Sequence, residues 1–210
     1  MTKIIYSLSF LIFFTNPCNG QKKEQKLIKT AFKNYKSAIL NDKGEEAINY
    51  VDSRTIAYYS DILELVKNAD SIQINSLSFL DKVMVFSIRH RVKKEDILSF
   101  DGKSLFIYAI KSGMIGKESI LNSSIGEVKL LNDFGKGQFL LNEQETPLYF
   151  HFYKESGKWK IDLTSIFPFS NIAFKQLVAE SGQNETDYIF SLLEILTGNK
   201  PGSEIWEKVK

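Results

Sequence analysis

His151 and Asp162 are the residues of this 210-residue chain whose types and spacing come closest to chemistry. They lie in two runs of alternating character, Leu148 to Lys154 and Lys158 to Thr164, parted by the turn signal Ser156-Gly157. A hairpin loop with an even residue count sets Phe150 opposite Leu163 and Phe152 opposite Ile161, so that both apolar sets share one face. The same register sets His151 opposite Asp162. An odd loop opposes Phe152 to Lys160 and forfeits burial worth about 2 kcal/mol per large side chain. A carboxylate facing an imidazole orients it and raises its basicity, as a general base requires. Tyr149 and Tyr153, on the same side of their strand, could donate hydrogen bonds to a developing oxyanion. The competing reading, which the pattern favours, is a solvent-facing polar strand surface where a His-Asp pair adds a fraction of a kcal/mol to the sheet.

Other chemistries find less support. His90 is the second and last histidine, and no compact zinc-ligand spacing occurs, so no metal or other cofactor is expected. Tyr58 and Tyr59, near Asp61, are candidates for lining a ligand pocket, although aromatic residues at helical spacing more often belong to a core. There is no G-x-S-x-G elbow, and Gly135-Lys136-Gly137 reads as part of a hairpin with no helix N-terminus behind it. The sequons at Asn122 and Asn184 arise readily by chance. Cys18 is the sole cysteine, which leaves no partner for a disulfide within the chain.

The first twenty residues differ from the rest. Lys3 precedes an uncharged apolar run from Ile4 to Phe14, shorter than the roughly 20 residues a membrane-spanning helix needs. Its length is that of a signal-peptide core, with Pro17 expected to break the helix and small residues at Cys18 and Gly20 suiting cleavage before Gln21. The expectation is an exported protein, periplasmic or secreted, with residues 1–20 as signal and residues 21–210 as a single domain. A lipid anchor on Cys18 is the minority alternative. Without Lys3 the chain holds 26 basic and 25 acidic residues, a balance that gives no field for recruiting nucleic acid or an anionic membrane. The basic cluster Arg89 to Lys94 is followed at once by Glu95 and Asp96 and reads as a solvated helix end.

Positioning the candidate pair requires a scaffold, and periodicity supplies one. From Glu24 to Leu40, Ile28, Phe32, Tyr35 and Ile39 recur at helical steps. A short helix is predicted over 45–51 with Asp42 as its cap, and a third from Thr55, capped by Asp52 or Ser53, with Ile56, Tyr59, Ile62, Leu63 and Val66 on one face. Residues 78–91 mix strand formers with a capping-box pattern at Ser78 and Asp81, and helix is the favoured assignment. Another helix runs from Lys103 to Lys111. Strands are predicted over 120–131, 138–141, 148–154 and 158–164, with turns at 133–135 and 142–144. Short loops make them an antiparallel meander. Helices over 172–180 and 185–196 follow, each stopped by a glycine.

The opening helix IKTAFKNYKSAIL, the break before EEAINYV and the distant ending LYFHFYKESGKWKIDLTSI resemble the nuclear transport factor 2-like superfamily over residues 25–165. The resemblance implies an α+β fold in which a curved antiparallel sheet wraps the long first helix like a cone and leaves a pocket at its mouth. The helical material between 78 and 112 and the extension over 166–210 depart from a minimal member and could fill or cover that mouth. Isomerases and cyclases of the superfamily use an Asp or His base, but none of their catalytic motifs matches here residue by residue. Three functional expectations follow. The first is a non-catalytic domain binding a small apolar ligand or a protein partner through its concave face. The second is an isomerase or cyclase working through His151 or a pocket carboxylate. The third is a homodimer joined through Ile189, Leu193 and Trp206.

Overall fold

The computed structural model describes residues 17–115 and 117–209, so the expected signal core lies outside the described residues. Helix α1 (Pro17–Leu40) opens on the proline expected to break it, because a missing N–H is harmless in a first turn. Its apolar stripe, Ile28, Ala31, Phe32, Tyr35, Ala38 and Ile39, is buried throughout. Helix α2 (Gly44–Ala47) runs into a 3-10 turn at Ile48–Tyr50. Asp42 does not cap it as expected. With φ of 56°, Asp42 forms the left-handed turn after α1, and its carboxylate pairs with Lys117 at 2.6 Å.

Asp52 caps α3 (Ser53–Asn68), accepting from the Thr55 N–H. Two short helices carry no strong period and were not foreseen: α4 (Ser71–Ser76), held by the reciprocal Asp70–Gln73 capping box, and α6 (Lys94–Ser99). Between them, the ambiguous segment is the helix α5 (Phe79–Arg91), with Ser78 at its cap. Helix α7 (Gly102–Lys111) starts at Asp101, and α8 (Glu118–Leu121) occupies the beginning of the predicted first strand.

The sheet is a four-stranded antiparallel meander in the order β1-β2-β3-β4, formed by β1 (Ser123–Leu131), β2 (Phe134–Leu141), β3 (Gln144–Glu155) and β4 (Lys158–Asp162). β2 and β3 are longer than predicted because their loops are only two residues. Asn142 and Glu143 have φ of 50° and 64°, and Ser156 and Gly157 have 49° and 76°. Paired left-handed residues give the primed turn whose twist matches that of the strands. Gly135 and Gly137 consequently lie within β2, and each has a use there. A Cβ on Gly135 would sit 2.6 Å from Ile28 Cδ1, and one on Gly137 would sit 2.7 Å from Ile125 Cγ2.

α1 packs beneath this thinned strand, with Phe32 and Phe150 at 5.7 Å between ring centres. Phe150, Phe152 and Ile161 are buried as expected. Leu163 is turned inward only in part, since β4 ends at Asp162 and residues Leu163–Ile166 form a 3-10 turn. The expected Phe150–Leu163 pair is therefore absent, while Phe152–Ile161 and His151–Asp162 stand in register. Neither sheet edge invites another strand. Lys36 and Gln25 of α1 donate to the Ser123 and Val128 carbonyls along β1, and the Asp52 N–H donates to the Ile161 carbonyl at β4.

α9 (Phe167–Ser181) and α10 (Glu185–Thr197) end at left-handed Gly182 and Gly198, as the glycines predicted. Both rest on α5: Phe174 stacks on Phe79 at 5.0 Å, and Phe190 and Trp206 meet Phe86. Lys82 and Glu185 form an ion pair at 2.5 Å that ties α10 to α5. The molecule is α+β, with helices before and after the sheet. Among the described residues no helix is long and apolar enough to cross a membrane.

Candidate functional site

Alternation along β3 turns Tyr149, His151 and Tyr153 away from the core that Phe150 and Phe152 enter. The hairpin places Asp162 opposite His151. No hydrogen bond joins them. Asp162 is buried and accepts from the Thr164 N–H at 2.9 Å and from the Thr164 hydroxyl, so its carboxylate caps the turn that follows β4. The Asp162 carbonyl accepts from the Ser165 hydroxyl, whose oxygen in turn accepts from the His151 N–H at 3.1 Å. The imidazole lies edge-on to Phe134 at 5.2 Å. Burial lowers the His151 pKa, Lys136 lowers it further, and Asp162 opposes them only weakly. The arrangement makes His151 a poorer base than a free histidine, the reverse of what a proton-abstracting pair needs.

The other candidates separate. Tyr153 lies under the Arg54 guanidinium, 3.6 Å from ring centre to Cζ, and Arg54 also pairs with Asp52. Tyr149 faces Gln138 further along β3. Tyr58 donates from its hydroxyl to Asp81 at 2.8 Å and packs on Phe167; burial, then the neighbouring Asp81, pushes its pKa up. Tyr59 is 6% exposed and edge-on to Phe106. These two tyrosines therefore join α3 to α5, α7 and α9. His90 brings Nε2 within 3.1 Å of the Thr197 hydroxyl and the Asn199 carbonyl, holding the end of α10. Among the described residues no group of three or more His, Cys, Asp or Glu converges as metal ligands would.

Among the described residues the five best-formed clefts hold about 350 to 440 Å³, and none of these five is lined by a histidine or by Ile28, Phe32, Tyr35 or Ile39 of α1. Apolar side chains are instead exposed along α9, in which no residue is buried. Phe174 and Val178 lean on the core and Phe167 packs on Tyr58, while Phe169, Ile172 and Leu177 are 45%, 68% and 45% exposed. Sequence reasoning did not single these residues out, although the signal was there. FPFSNIAFKQLVA is apolar on every side of a helix, and such a helix is normally covered all round. Ile189 and Leu193, expected to join two copies, are buried in their own chain, and Trp206 packs on Phe86 and Phe190.

No family model matches this chain, nor does any curated protein or solved structure.

The depressed His151 pKa has a measurable consequence. The unfolded chain takes up the proton at a higher pH than the native one, so this residue's contribution is intact above the unfolded value of about 6.5 and falls away on acidification. Replacing Lys136 by Gln is expected to raise the imidazole titration midpoint read by NMR. An unchanged midpoint would show that Lys136 exerts no field on the ring.

Proposed function

We propose that this chain is a non-catalytic interaction domain that docks a protein partner on the outward apolar face of α9. The observation that carries this reading is the contrast between a packed interior and an uncovered helix. Ile28, Phe32, Phe150, Phe152 and Ile161 pack together between α1 and the sheet, whereas Phe169, Ile172 and Leu177 are exposed. Large apolar side chains left exposed together on one helix suit a contact site. The inner side of α9 is fixed by the Asn171 side chain, which accepts from the Leu80 N–H at 2.9 Å, and by the Phe79–Phe174 stack. A patch held rigidly in this way binds without losing much conformational freedom.

Kinship with the nuclear transport factor 2-like superfamily and export across a membrane remain part of the proposal. The order of helices before a meander, with α1 beneath it, supports the first, and the composition of residues 1–20 supports the second. The test is site-specific photocrosslinking in cells. A photoreactive residue at position 172 should give a discrete covalent adduct, and the same residue at exposed position 129 on β1 should give none. The absence of an adduct at 172 would remove the proposal.

A further inference from the structure

We infer that a row of lysines on α1 holds this chain against an anionic lipid surface by way of the headgroup phosphates. Lys22, Lys26, Lys29, Lys33 and Lys36 follow one another at steps of four and three residues, so they form a single row about 21 Å long on one side of the helix. The first four are exposed, and Lys36 is partly buried and donates to the Ser123 carbonyl. None of the five belongs to an ion pair among the described residues. Glu24, the sole acid of α1, is turned to the sheet, where its carboxylate accepts from Lys154 at 2.8 Å and from the Trp159 indole at 2.5 Å. On β1, against which α1 packs, Glu127 is already paired with Lys129 at 3.6 Å. The near-neutral total hides this arrangement. Residues 21–40 carry six lysines and one glutamate, net +5, whereas residues 41–210 carry 20 basic and 24 acidic groups, net −4. Like charges three and four residues apart repel and weaken a helix, so the row costs the fold stability that an external anion offsets.

The make-up of the row favours a bilayer over other polyanions. All the basic residues of α1 are lysine and none is arginine. Lysines act as point charges and suit a fluid layer of headgroups, whereas fixed phosphates are better met by the bidentate fork of arginine. The aromatic residues of α1, Phe32 and Tyr35, are both buried, so nothing on the helix can stack on the bases of a single-stranded nucleic acid. Position points the same way. The row begins eight residues after Phe14, the end of the apolar run, so on the export reading the lysines stay beside the membrane whether the chain is cut before Gln21 or carries a lipid on Cys18. Ile28, Phe32, Tyr35 and Ile39 are committed to the core, which leaves α1 no apolar face to insert. The contact is therefore electrostatic and weakens as salt is added. The net −4 of the remaining chain turns this side, and not the opposite one, toward the bilayer.

The test is cosedimentation of the full chain with vesicles of phosphatidylcholine alone and of phosphatidylcholine mixed with phosphatidylglycerol. Neutral vesicles report what the apolar run binds by itself, so the lysines are read from the difference between the two. At low salt the wild type should prefer the anionic vesicles by roughly two to three orders of magnitude, about fivefold for each exposed lysine of the row. Adding salt to about 0.5 M should erase the preference. Lys26→Gln, Lys29→Gln and Lys33→Gln together should cut it to about fivefold, with binding to neutral vesicles unchanged. This variant should melt no lower than the wild type, because it removes repulsion within α1. The exposed lysines Lys93, Lys94 and Lys200, replaced together by glutamine, make the same change in net charge away from α1 and should leave the preference as it is. Equal binding of the wild type to both vesicles, a triple α1 variant that binds as the wild type does, or an equal loss in the control variant overturns the inference. So does a chain that stays on a DNA oligonucleotide at a salt concentration that releases it from the anionic vesicles. The vesicle measurement requires neither export nor a partner on α9, so its failure is read apart from failure of the docking role.

Discussion

Asp52→Ala is expected to lower stability by about 3 kcal/mol, which for a domain of this size is a fall in Tm of roughly 6–12 °C. Asp52 is fully buried, and its carboxylate has three donors: the Thr55 N–H at 2.9 Å, the Thr55 hydroxyl at 3.0 Å and Arg54 at 2.9 Å. Its own N–H donates to the Ile161 carbonyl at 2.9 Å, and the Thr55 oxygen accepts from the Leu163 N–H at 3.0 Å. One residue thus caps α3 and joins it to the end of β4, where the meander has no further strand. Alanine removes the cap and leaves the buried Thr55 hydroxyl only the longer bond to the Ile161 carbonyl at 3.4 Å as donor. Asp52→Asn keeps an acceptor for the helix and should lose much less, since Arg54 is half exposed and its ion pair with Asp52 is well screened. Thr55→Val should lose about 2 kcal/mol by leaving the Leu163 N–H unpaired. Because the two residues share one network, the double variant should fall short of the sum. Urea titrations of the four proteins decide the matter. A loss under about 0.5 kcal/mol for Asp52→Ala would mean that the α3–β4 joint is held by apolar packing alone.

The sequence disclosed elements wherever a single period ran unbroken. Helix α1, the α3 start at Asp52 or Ser53, the glycine stops of α9 and α10 and the hairpin register around Phe152 could all be read because local propensity and burial agree there. Errors came where a short-range signal was overridden. The Asp133-Phe134-Gly135 run looks like a turn from its composition, yet Gly135 and Gly137 are small because α1 and neighbouring side chains press on β2. Proximity of that kind is tertiary and invisible to a local window. Leu163 continues the alternation of β4, but Asp162 prefers to cap, and a capping aspartate ends a strand as effectively as proline does. The candidate pair was legible only as a register. The register correctly put His151 opposite Asp162, but register fixes Cα positions and leaves open which donors a carboxylate takes. Thr164, two residues on, is nearer than an imidazole across the hairpin. The exposed face of α9 is not legible in its sequence, because a helix apolar on every side carries no mark of which side is left uncovered.

Arg89→Ala is expected to cost about 3 kcal/mol and to loosen the C-terminal tail before the rest of the fold melts. The Arg89 guanidinium donates to four main-chain carbonyls: Val66 at 3.0 Å, Leu65 at 3.3 Å, Ala69 at 2.7 Å and Ile205 at 3.1 Å. Three of these lie in the last turn of α3 or just beyond it; Leu65 also accepts from the Ala69 N–H at 2.9 Å, and a cation there meets the negative end of the helix dipole. The fourth belongs to the 3-10 turn Ser203–Trp206, so one side chain fastens the tail to the middle of the protein. Only a planar fork of five N–H groups can serve four acceptors at once. Arg89→Lys keeps the charge but reaches one or two of them, so it should recover less than half of the loss. The tail retains Ile205 in the core, Trp206 against Phe86 and Phe190, and the Val209 N–H on the Lys67 carbonyl, which confines the damage. Hydrogen exchange should accordingly quicken at residues 203–206 and in the last turn of α3 in both variants, with α1 and the sheet protected as in the wild type. Equal exchange across all elements would mean that Arg89 supports the fold as a whole, and full rescue by lysine would mean that charge, not the fork, is what the four carbonyls require.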